Sequence, residues 1–164
     1  MPRVFRKYER AEEQTWRRPI LAVSSGGGHW VERLRLQQAW KEREVVYASV
    51  DPRLKGEVFP ARYFVVRDGN LHTKLALVGV FFSALVLVLR VRPAAVVSTG
   101  AAPGFFAVML AKLLGAKTIW IDSIANADSL SISGRMVRPF AGVWLTQWQH
   151  LSRESGPRYR GSVL

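Results

Sequence analysis

A short apolar run, "PILAV" from Pro19 to Val23, ends in "SSGGGHW" and continues into a stretch with helical spacing; this succession constrains the chain more than any other feature. A few apolar residues closed by glycines read as a buried strand. After the glycines, Val31, Leu34, Leu36, Ala39 and Trp40 recur as one face of a helix would. "EVVYASVD" and "ARYFVV" predict two further strands, followed by a long apolar helix over 75–89. "AAVVSTG" is the next strand, and "GFFAVMLAKLLGA" a helix with Gly115 at its C-terminal cap. "KTIWIDS" and "GVWLTQW" complete the strands, with a helix in "LSISGRMVRPFA" between them. Alternation of this kind predicts an α/β fold, a parallel sheet with helices on both faces.

The 164 residues suit one domain with a core of its own. An apolar content of 49% excludes a disordered chain. The absence of cysteine excludes a disulfide framework and a thiolate metal site. The net charge of +12 favours anionic partners, among them phosphorylated ligands and acidic lipid. Its arginines are scattered and match no nucleic-acid-binding pattern, so no nucleic-acid partner is expected. The expected organisation is a charged N-terminal arm over 1–18, a sheet domain over 19–150 and a C-terminal tail over 151–164. The arm carries no export-signal pattern.

Open parallel sheets bind ligands beyond the carboxyl ends of their strands. The polar residues that interrupt the apolar pattern fall there: Ser24 to His29, Asp51, Thr99 to Gly104, and Asp122, Ser123 and Asn126. Ser25, Gly26, Gly27 and Gly28 admit close backbone approach of a phosphate or diphosphate at a helix N-terminus, and they also suit a tight strand-to-helix turn. No lysine follows the glycines, which argues against a Walker A loop. Gly26 and Gly28 fit the first two positions of a dinucleotide fingerprint and Asp51 the place of its ribose-binding acid, but Val31 stands where the third glycine belongs. A soluble NAD(P)-binding oxidoreductase is therefore the alternative reading, with a nonenzymatic membrane adaptor as a third.

The glycines with His29, "STGAAPG" from Ser98 to Gly104, and "IWIDSIANADSLSISGRMVRPFAGVWLTQWQHL" from Ile119 to Leu151 resemble the membrane-anchoring subunit of two-component glycosyltransferases. That group includes the N-acetylglucosaminyltransferase of dolichol-linked oligosaccharide synthesis and the PssD-like proteins of bacterial exopolysaccharide assembly. The resemblance runs from Ile20 onward and implies a Rossmann-like domain, one half of a GT-B enzyme, similar to the N-terminal acceptor-binding domain of MurG-like transferases. It further implies a second Rossmann-like subunit that carries the nucleotide-sugar, a lipid-diphosphate-linked saccharide as acceptor, and a place at the cytoplasmic face of the membrane. The family often has Glu-Ser and a basic residue where this chain has Asp122, Ser123 and Asn126.

Sugar transfer needs a base near the acceptor hydroxyl and stabilisation of the departing diphosphate. His29 is the candidate base, because an imidazole exchanges protons near neutral pH. Asp122 either orients it or replaces it, and His29 could instead cap the turn or bind acceptor phosphate. Ser25, Gly26, Gly27, Gly28, Thr99, Gly100, Ser123 and Asn126 are the expected acceptor and diphosphate contacts. His72 and His150 read as surface residues. No metal-ligand spacing occurs, so neither metal nor cofactor is expected. The helix over 75–89 is apolar on every face, too short to span a bilayer, and flanked by Lys74, Arg90 and Arg92. Ala76, Gly79 and Ser83 are expected against the sheet, and Phe81, Phe82, Leu85 and Leu89 against lipid. Burial of this helix in a subunit interface is the competing reading.

Overall fold

The computed structural model describes residues 18–69 and 74–163. The charged arm up to residue 17, His72 and the Lys74 side chain lie outside the described residues. Seven parallel strands form one sheet: β1 (Ile20–Val23), β2 (Val45–Ser49), β3 (Arg62–Val65), β4 (Ala95–Ser98), β5 (Lys117–Ile121), β6 (Val143–Thr146) and β7 (Arg158–Tyr159). Their order is β3-β2-β1-β4-β5-β6-β7. The chain therefore winds outward from β1 in one direction, returns, and continues in the other from β4. The topological switch lies between β1 and β4, which pair from Ile20 with Ala95 to Val23 with Ser98.

Alternate strand residues feed two cores, as the two-residue side-chain period requires. Leu21, Val23, Val46, Val96 and Trp120 face α2 (Lys74–Val91), α3 (Ala101–Leu113) and α4 (Ile132–Met136). Ala22, Tyr47, Val97 and Ile121 face the opposite layer, which holds α1 (Gly28–Arg35) and two 3-10 helices, Gln37–Trp40 and Pro52–Val58. Helices on both faces of a parallel sheet match the expectation.

Three local expectations are corrected. Val31 was expected on the buried face of α1, yet it is 47% exposed, while Trp30, Glu32 and Arg33 turn inward. The helix ends at Arg35, so its apolar period does not carry through to Trp40. The Arg33 guanidinium is fully buried, 3.6 Å from the Trp30 ring centroid and 4.4 Å from that of Tyr47. Desolvation lowers its pKa to about 10. The segment over 151–164 is no separate tail, because β7 extends the sheet beside β6.

On α2 the buried line is Val80, Ala84, Leu87, Val88 and Val91. The expected sheet contacts Gly79 and Ser83 instead meet Arg67 after β3: the Ser83 hydroxyl accepts from the Arg67 amide at 3.1 Å. Leu75, Val78, Phe82, Val86 and Leu89 form an outward stripe at three- and four-residue intervals. Phe82 and Leu89 are thus on the exposed face as expected. Phe81 and Leu85 are not, since both pack against the core and the Phe81 ring meets Phe106 edge to face. Among the described residues no helix is long and apolar enough to cross a membrane.

Candidate functional site

The loop after β1 and the loop after β4 meet at the switch point, and His29 joins them. Its Nδ1 lies 3.0 Å from the Thr99 carbonyl, and the Thr99 hydroxyl donates back to the His29 carbonyl at 2.7 Å. A carbonyl only accepts, so the neutral ring that satisfies this bond carries its proton on Nδ1. Nε2 is then left with the lone pair, the atom a general base uses.

Gly100 makes room for this arrangement. A Cβ there would sit 2.5 Å from His29 Cε1 and 2.8 Å from Nδ1, and its φ of +141° disfavours any L side chain. Ala101 follows at φ +66°, so the turn that presents the Thr99 carbonyl holds backbone strain at the sheet's switch point.

The glycine loop next to the histidine leaves open space at two of its positions. Gly27 takes φ +62° at the N-cap of α1, and Cβ positions on Gly27 and Gly28 would meet nothing within 4 Å. The Gly27 carbonyl accepts from the amides of Trp30 and Val31, so the N–H groups before Trp30 precede the first helical bonds and point outward. Ser25 and Gly26 are part-exposed in the same loop. This is an uncharged cradle of the kind that takes a phosphate oxygen.

Other expected site residues serve as braces. Asp122 is buried and does not orient His29. It accepts from Ser131 Oγ at 2.6 Å, the Ser131 amide at 3.0 Å, Trp120 Nε1 at 3.3 Å and Asn126 Nδ2 at 3.4 Å. Ser131 Oγ in turn accepts the Gly134 amide at 2.8 Å and caps α4, while a Cβ on Gly134 would collide with the Asp122 carboxylate. The spacing of Asp122 with "SISG" is therefore the signature of a capped turn, and four donors leave this carboxylate unsuited to act as the base. Thr99 and Ser123 are buried too, and their hydroxyls are engaged by the His29 carbonyl and by Glu32. Asn126 is part-exposed beside them.

Sequence reasoning missed Glu32 and Gln147. Glu32 is buried on α1 one turn after His29; it accepts from Ser123 Oγ at 2.6 Å, the Ile124 amide at 3.3 Å and Gln147 Nε2 at 2.7 Å. The i, i+3 relation of Glu32 to His29 was the available signal. Asp51, the expected ribose acid of the dinucleotide reading, is held by Arg53 through side-chain bonds of 2.7 to 3.1 Å and by the Arg53 amide at 2.9 Å. Those bonds lower its pKa to about 2. His150 is exposed as expected, with Nε2 2.7 Å from the Ala127 carbonyl. Among the described residues no three His, Cys, Asp or Glu side chains come together to hold a metal ion.

Residues 57–163 match the family described as oligosaccharide biosynthesis protein Alg14 like. The chain is 24% identical over 180 residues to a mouse protein named UDP-N-acetylglucosamine transferase subunit ALG14, a match covering 88% of this chain and 82% of that one. A Candida albicans protein of the same name is 33% identical over 90 residues, covering 51% of this chain and 41% of the relative. Among solved structures, Acinetobacter baumannii MurG superposes with a TM-score of 0.71 at 14% identity, covering 88% of this chain and 45% of that one. The fold thus matches a little under half of the MurG chain. The family match over most of the sequence decides against the oxidoreductase alternative: the chain belongs to the Alg14-like family of oligosaccharide biosynthesis proteins.

Proposed function

We propose that the chain is the acceptor-binding subunit of a two-component glycosyltransferase, which moves a sugar from a nucleotide-sugar to a lipid-diphosphate-linked saccharide. The names of its relatives favour UDP-N-acetylglucosamine as donor. The relatives' names call each a subunit of a transferase, which supports a second subunit, and the likeness of this fold to part of MurG suits a Rossmann-like one. The observation that carries the reading is the open glycine cradle beside a histidine whose Nδ1 is committed to Thr99.

In this mechanism the acceptor diphosphate lies on the amides at the start of α1, and its sugar hydroxyl meets His29 Nε2. Nε2 takes the hydroxyl proton as the oxygen bonds to the donor's anomeric carbon. The bond from that carbon to the diphosphate breaks, and the nucleoside diphosphate leaves with the electron pair. His29→Ala in the two-subunit complex should lower kcat by ~100-fold or more. Unchanged turnover would assign the base elsewhere.

The outward stripe of α2 supports contact with a membrane surface, which we take to be the cytoplasmic face. Its five apolar side chains are half or more exposed, with Leu75 at 86%. Beside it a groove of about 460 Å³ between β3 and α2 is lined by Phe64, Phe82 and Val86, and by Arg67 and Arg90, cations suited to anionic headgroups.

A further inference from the structure

Glu32 is a buried carboxylate with no cation among its hydrogen-bond partners in the described residues. Such a charge is costly to desolvate, and three donors offset that cost only while all of them stay in place. The donors come from two loops of the catalytic edge. Ser123 Oγ and the Ile124 amide belong to the loop after β5, and Gln147 Nε2 to the loop after β6. Gln147 Nε2 also donates to the Asp122 carbonyl at 3.1 Å, locking the two loops together. The network continues outward. Gln147 Oε1 accepts the Val163 amide at 3.0 Å, and Arg35 on α1 donates to the Val163 carbonyl at 2.6 Å.

Helix α1 is thereby pinned at two places. Thr99 holds it at His29, and the Glu32 network holds it one turn further on. With the second pin removed, α1 could rotate about the first and carry Nε2 away from its line of attack. We infer that Glu32 is a positioning residue, which fixes the helix of His29 to the loops after β5 and β6 and couples both to the backbone at Val163. The inference rests on the proposed acceptor-subunit function for its catalytic consequence, but not for the coupling.

The test compares wild type with Glu32→Gln, both as the full chain in complex with the partner subunit. The substitution keeps the shape and removes the charge: the new amide nitrogen can only donate, toward the rotatable Ser123 hydroxyl, and the Ile124 amide and Gln147 Nε2 exchange a charge-assisted acceptor for the weaker oxygen of a neutral amide. Per mole of assembled complex, kcat should fall ~10-fold or more with the acceptor KM within about threefold, as a displaced catalytic group requires. Amide hydrogen exchange at Ile124 and at Val163 should accelerate together. Unchanged kcat per assembled complex, with only a lowered melting temperature, would overturn the positioning role; unchanged exchange at Val163 would overturn the coupling. If Glu32→Gln does not fold, Gln147→Met carries the same expectations. If the wild-type complex transfers no sugar, the proposed function fails, and the exchange at Ile124 and Val163 still decides the coupling.

Discussion

Gly100→Ala places one methyl group against the His29 ring and separates the proposed geometry from a generic glycine turn. Its Cβ would lie 2.5 Å from Cε1 and 3.2 Å from Nε2. Carbon contacts settle at about 3.5 to 4.0 Å, so the ring must retreat by roughly 1 Å. That breaks the 3.0 Å contact with the Thr99 carbonyl, which fixes the proton on Nδ1. Strain at φ +141° costs about 1 to 3 kcal/mol and the lost hydrogen bond about 1 more. For a domain of this size, 2 to 4 kcal/mol corresponds to a melting temperature lower by roughly 5 to 15 °C. A 1 Å displacement of a catalytic group costs on the order of 100-fold in rate. The assay is kcat of the two-subunit complex at saturating acceptor, well below the variant's melting temperature. A folded Gly100→Ala complex with kcat within about threefold of wild type would refute the placement of His29.

Gly28→Ala should act in the opposite sense on stability: its Cβ enters open space within a helix, so melting should be unchanged or improved by about 0.5 to 1 kcal/mol, while acceptor kcat/KM falls ~10-fold or more through obstruction of the cradle. Activity equal to wild type would show that no ligand approaches there. Replacing Phe82 and Val86 by serine should shift the chain out of the floating fraction with anionic liposomes; each half-buried side chain has about 0.8 to 1.5 kcal/mol left to gain from lipid. Unaltered flotation would remove the stripe from the membrane contact. Burial lowers the Arg33 pKa to about 10, below the usual arginine value, so folding disfavours the charged form; the penalty is complete below about pH 10 and fades as pH rises toward the usual value. Arg33→Met should therefore be neutral or stabilising at pH 7, the roughly 3 kcal/mol of relieved burial offsetting about 2 kcal/mol of lost ring stacking, and a large drop in denaturant midpoint would contradict this.

The sequence exposed what depends on runs and punctuation. The strand-turn alternation placed β1 to β6, and glycines after apolar runs marked the carboxyl edge of the sheet, where open parallel sheets bind ligands, as the candidate site. It hid what depends on which side of an element turns inward. Val31 is more apolar than Arg33, yet Arg33 is buried because Trp30 and Tyr47 offer ring faces to its guanidinium. Phe81 and Phe82 are adjacent and alike, and only the approach of Phe106 on α3 decides which one is covered. Asp122 looked catalytic by residue type and loop. Its role as a brace for α4 emerges once Ser131 and Gly134 close on it. β7 is two residues long, too short for any periodicity to register.

The most direct test mixes the purified chain with its partner subunit, UDP-N-acetylglucosamine and a lipid-diphosphate-linked saccharide, and compares product formation with that of each subunit alone. The account predicts transfer by the mixture only, with the acceptor protecting the Gly26 to His29 amides of this chain from hydrogen exchange. Transfer by this chain alone, or acceptor protection confined to the partner, would contradict it.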